Sequence, residues 1–157
     1  MMKINSNDVF LAGEFAVLAQ LALRGYVANM TLGRTKGIDI LVANPDTGRM
    51  RKIEVKTSTH PRLRWVMQEK HERSNDPDLF FCFVAITKDY GFRFVVVPSA
   101  DVANYLTRAH KQWADEKPSR KRATPMRIFL FTYAGEKYAV ATPTIEKYEN
   151  NWQIMDV

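Results

Sequence analysis

Apolar positions along this chain recur with two different periods. In "VFLAGEFAVLAQLALRG" they cluster at helical spacing. Ser6, Asn7 and Asp8 stand ahead of the run as N-cap residue types, and Gly25 stands behind it as a helix-ending glycine. The pattern predicts a helix over 8–24. At 100° per residue, Phe10, Val17, Leu18 and Leu21 share one face, Leu11, Ala22 and Phe15 extend it, and Glu14 falls near its middle. Downstream the period shortens to two or disappears into continuous apolar runs. "YVANMTL" reads as a short strand. "IDILVA" and "RMRKIEVKT" read as a hairpin around the turn "NPDTG". "LFFCFVAI" is long enough only for a strand buried on both faces, and "FRFVVVP" is a further strand ended by Pro98. "SADVANYLTRAHKQW" predicts a helix capped by Ser99, "MRIFLFTYAGEKYAVAT" a hairpin turning at Ala134–Gly135, and "PTIEKYENNWQIM" a last short helix. The polar stretch between Pro61 and Pro77 offers a short helix near Trp65 to Arg73, and "ADEKPSRKRATP" a basic loop. This order implies an α/β or α+β layer fold with cover on both faces of a sheet.

At 157 residues, 1–157 is expected to form a single domain with a core of its own. No apolar run approaches the length of roughly 18 residues that a membrane span needs. "MMKINSND" lacks the features of a secretory leader. The single cysteine, Cys82, permits no disulfide framework within the chain, so a reducing cytoplasm is the expected compartment. Lys and Arg number 23 against 17 Asp and Glu, a net charge of +6. That balance is compatible with a polyanionic partner but does not by itself indicate one.

The chemistry lies in the hairpin. If Pro45 to Gly48 is a four-residue loop, Asn44 pairs with Arg49 and Asp39 falls opposite Glu54. Strand alternation then puts Asp39, Glu54 and Lys56 on one side of the sheet, with Ile53 and Val55 on the other. Two facing carboxylates repel. They must lie in water, share a proton, or hold a cation between them. Glu14 brings a third carboxylate from an apolar helix face. A lysine beside a metal-held water can orient it and stabilise charge on a phosphate, so the set contains the parts for metal-assisted phosphodiester hydrolysis.

"GEFAVLAQLALRGY", "GIDILVA" and "IEVKTS", in this order and spacing, resemble the PD-(D/E)XK nuclease superfamily over roughly residues 10 to 58. "LFFCFVAI" and "FRFVVVPSADVANYL" look like the next strands and helix of small members. Ile38 stands where the superfamily's naming proline would be. The resemblance implies a restriction endonuclease-like core, an α/β fold with a mixed β-sheet flanked by helices on both faces. It implies DNA as substrate and Mg²⁺, with Mn²⁺ as a substitute, as cofactor. It assigns Asp39, Glu54 and the Val55 carbonyl to the metal, Lys56 to the attacking water, and Glu14 to a supporting place near the metal. Members often dimerise, so a homodimer is compatible with it.

Arg34 and Lys36, in "GRTKG", and Arg62 and Arg64, after the E-x-K strand, are candidate DNA-backbone contacts. His60, His71 and His110 lack metal-ligand spacing, and the tryptophans read as core or interface anchors. Two other function classes remain: a DNA-binding module of the same fold without catalysis, and a partner-binding subunit of a nucleic-acid-processing complex.

Overall fold

In a computed structural model, residues 4–32, 37–116, 119, 124–131 and 144–156 are described. A helix α1 (Ser6–Leu23) leads into strands β1 (Val27–Met30), β2 (Ile40–Ala43) and β3 (Met50–Ser58). After them come β4 (Arg64–Gln68), β5 (Leu79–Ile86), β6 (Phe92–Pro98), α2 (Ser99–Asp115) and β7 (Met126–Leu130). Among the described residues the main sheet has five strands in the order β1-β2-β3-β5-β6. Its ladders are antiparallel except for the central pair, β3 and β5, which is parallel. β4 and β7 form a separate antiparallel pair.

β5 lies between β3 and β6, and its continuous apolar sequence follows from burial on both faces. Phe80, Cys82 and Val84 point to one core, with Val17 and Leu21 of α1 and Ile53 and Val55 of β3. Phe81, Phe83 and Ala85 point to the other, with Val102 and Leu106 of α2 and Trp65 and Phe129 of the small sheet. The mixed α/β sheet expected from the sequence is therefore present, with a helix on each face.

Three expectations change. The buried stripe of α1 is Val9, Gly13, Val17 and Leu21, whereas Phe10 and Phe15 are 52% and 54% exposed. Apolar residues lie all round this helix, so periodicity cannot select the contact stripe. The selection is made by Gly13, where a Cβ would stand 1.8 Å from Thr57 Oγ1 of β3. The segment near Trp65 is strand rather than helix, and only Glu69–Arg73 turns, as a 3₁₀ helix. The reason is alternation: Leu63, Trp65 and Met67 are buried while Arg64, Val66 and Gln68 face outward. The last helix is broken into 3₁₀ turns at Ile145–Lys147 and Trp152–Met155. β7 is the first arm of the predicted last hairpin, whose turn at Ala134–Gly135 lies outside the described residues.

Candidate active site

The hairpin register is the one the turn predicts. Asn44 N–H donates to Arg49 O at 3.0 Å, and Ile40 pairs with Ile53. β2 begins at Ile40 while β3 runs on to Ser58, so beyond Ile53 the β3 edge loses its strand partner. Asp39 sits at that point. Its N–H donates to Ile53 O at 2.9 Å, and its carboxylate Oδ2 accepts from Val55 N–H at 2.7 Å. A side chain thus takes over where the backbone ladder stops. The N–H and C=O of one strand residue point to the same edge, so the Val55 carbonyl faces the same opening.

Glu54 is 5% exposed. Its Oε1 lies 2.5 Å from Lys56 Nζ and 3.4 Å from His71 Nε2. Its Oε2 faces Gly37, where a Cβ would stand 3.3 Å away. Gly37 has φ +77°, a conformation suited to glycine, and this lets the loop before Asp39 pass close to the carboxylate. Glu14 arrives from α1, which packs on the Val55 face, while Glu54 and Lys56 leave β3 on the opposite face. The acids therefore meet around the open edge of β3 and not on one face of the sheet.

The electrostatics tie them together. Burial would push the Glu54 carboxyl up, but the facing His71 ring and the charge and hydrogen bond of Lys56 outweigh it and bring it to about 2. Asp39 is raised by burial and by the Glu54 charge, against the Val55 N–H and Lys56. Glu14 is raised by burial and then by the Asp39 charge. The lysine therefore neutralises Glu54, and the remaining negative charge falls on Asp39 and Glu14.

Glu14, Asp39, Val55 and Lys56 line a cavity of about 540 Å³, which Phe10, His60 and Arg64 also border. Glu54 opens instead into a neighbouring cavity of about 330 Å³, with His71, Lys52 and Lys70. Lys56 connects the two, since it borders the first and bonds the carboxylate of the second. Arg62 is exposed beside the cleft, with its backbone held by His60, whereas Arg34 and Lys36 lie outside the described residues.

The donor set is all oxygen: two carboxylates and a strand carbonyl. Such donors suit Mg²⁺, which commonly takes one or two carboxylates and keeps several waters. Among the described residues no three His, Cys, Asp or Glu side chains are grouped to cage an ion. Asp39 and Glu54, whose charges act on each other, are the two carboxylates on offer beside the Val55 carbonyl. His71 went unrecognised in the sequence. Its signal was faint, a histidine three residues after Gln68 at the end of an alternating strand.

Neither a protein-family model nor a curated protein matches this chain. Among solved structures it is similar to a bacterial homing endonuclease, I-Ssp6803I, at 16% identity with a TM-score of 0.53, over 98% of this chain and 92% of that one. This likeness shows that the chain has the α/β fold of that endonuclease.

Proposed function

We propose that this protein is a Mg²⁺-dependent DNA endonuclease of the PD-(D/E)XK type. The observation that carries the reading is the Asp39 carboxylate, docked on the Val55 N–H at the open end of the β2–β3 ladder, beside the Glu54–Lys56 pair. Asp39 Oδ1 and Glu54 Oε2 are the oxygens left to hold a metal, and the Val55 carbonyl, on the same strand edge as the N–H that Asp39 binds, is the third. A bound Mg²⁺ would supply Lewis-acid activation of water and offset charge on the phosphate. Glu14 adds negative charge on the Asp39 side of the cleft. Lys56 Nζ, held by Glu54, can donate hydrogen bonds to an attacking water and to a phosphate oxygen. Arg64, on the cleft wall, is placed to bind a neighbouring phosphate, with Arg62, Arg34 and Lys36 as further contacts. The name of the similar homing endonuclease supports DNA as the substrate class.

The test is cleavage of plasmid and linear DNA with Mg²⁺, with Mn²⁺ and with EDTA. Wild type is expected to cut only with metal. Lys56→Ala and Asp39→Ala are expected to lose at least about 100-fold in rate, the scale of a lost proton-transfer or charge-stabilising group. Metal-dependent cutting that survives both substitutions rejects the site.

One observation favours a second reading. Glu54 is already satisfied by Lys56, and no three-ligand cage exists among the described residues. A non-catalytic DNA-binding module of the same fold would bind DNA equally in EDTA and cut under no metal.

A further inference from the structure

His71 is as buried as the carboxylate it faces, at 5% exposure, and nothing in the reaction scheme above uses it. Its ring is fixed on three sides. Gln68 N–H donates to Nδ1 at 3.0 Å. The ring meets Phe81 of β5 edge-on, with centroids 5.6 Å apart and planes at 89°. Nε2 faces Glu54 Oε1 at 3.4 Å without forming a hydrogen bond to it, and among the described residues this buried nitrogen has no hydrogen-bond partner. Because Nδ1 accepts a backbone hydrogen bond, the proton of the neutral ring must lie on Nε2, facing the carboxylate.

We propose that His71 is a positioning residue for Glu54. It faces the same oxygen, Oε1, that Lys56 holds, and Oε2 is left turned towards Gly37, in the loop that leads to Asp39. This rests on the metal-dependent reading above and adds the group that sets the orientation of one metal ligand. The supporting framework is rigid. The 3₁₀ turn carrying His71 follows β4 directly and packs against α2, so the ring is anchored in the core opposite α1. Partners that orient a metal ligand in this way typically change metal affinity by about 10–100-fold when removed.

The test uses the whole protein and Mn²⁺ as probe, with free Mn²⁺ read by electron paramagnetic resonance and no DNA present. His71→Phe keeps an aromatic ring against Phe81 but removes both nitrogens. It is expected to weaken Mn²⁺ binding by about 10–100-fold. His71→Gln, which returns an N–H near the Nε2 position, is expected to recover most of the loss. Folded His71→Phe with wild-type Mn²⁺ affinity overturns the proposal, and so does a His71→Gln as weak as His71→Phe. Should His71→Phe fail to fold, ¹⁵N spectra of metal-free wild type decide. A ring protonated at Nε2, whose Nε2 signal moves in Glu54→Gln, supports the pairing, and a ring protonated at Nδ1 overturns it. Wild type that binds no Mn²⁺ removes the nuclease reading itself, an outcome distinct from loss of the His71 role alone.

Discussion

Asp39 and Glu54 lie side by side, yet their ionisation acts on stability in opposite directions. Asp39 is raised by burial and by Glu54, so its ionised form destabilises the native state. That cost is present above its folded pKa and is relieved as pH falls through it. In EDTA, Asp39→Asn is therefore expected to melt higher than wild type at pH 7, with the gain shrinking towards about pH 4 as the native carboxyl protonates. Glu54 is brought down from 4.5 to about 2, so its pairing adds stability that is complete above 4.5 and lost as pH falls towards 2. Glu54→Gln should melt lower than wild type at neutral pH, with the difference closing in acid. Equal melting temperatures across the range for both variants would contradict this picture, and adding Mg²⁺ should raise wild type but not Asp39→Asn. Glu54 and Lys56 were legible in sequence because the strand period fixes their face, and Asp39 because the turn length fixes the register up to Ile40, although its carboxylate turns to the strand edge instead of sharing that face. His71 was not, because its burial comes from a short 3₁₀ turn folding over Phe81, and a polar run such as "EKHER" carries no sign of that.

α1 and β3 touch where Gly13 meets Thr57, and that contact sets how far Glu14 reaches over the open edge. Gly13→Ala would force a methyl group to 1.8 Å from Thr57 Oγ1, so the helix must shift. The expected cost is about 1–3 kcal/mol, typical of overpacking, read by urea unfolding. Cleavage should fall as well, since Glu14 moves with the helix. Thr57→Ala in the same chain removes the hydroxyl and should recover part of both. An unaffected Gly13→Ala would show that the helix sits elsewhere. The β2–β3 hairpin was readable in advance because "NPDTG" allows a simple residue count. The α1 stripe was half readable: Val17 and Leu21 of the expected face are buried, whereas Phe10, Leu11 and Phe15 compete with Val9 and Gly13 on hydrophobicity alone and are exposed. β4 was misread because prolines and charges around it obscured an alternation, Leu63, Trp65 and Met67, that was present.

At the scale of the whole molecule, the proposed DNA binding by a chain of net charge +6 is expected to weaken steeply with salt. Arg64→Ala should weaken binding similarly on unrelated sequences and lower the slope of log affinity against log salt by about 1, the signature of one lost phosphate contact. A fluorescence-anisotropy titration in EDTA from low to high salt checks it, and an unchanged slope would move Arg64 off the DNA path. The sequence also anticipated the sheet's two-sided cover, since an eight-residue apolar strand admits little else. It gave no sign that the acids would reach the cleft from different sides. Glu14 stands on α1, which packs on one face of the sheet, while Glu54 leaves the sheet on the other face towards His71, whose turn packs against α2. The cleft works as a vice whose jaws are bolted to separate blocks. Loosening either block is expected to open the grip, because both jaws close on the same strand.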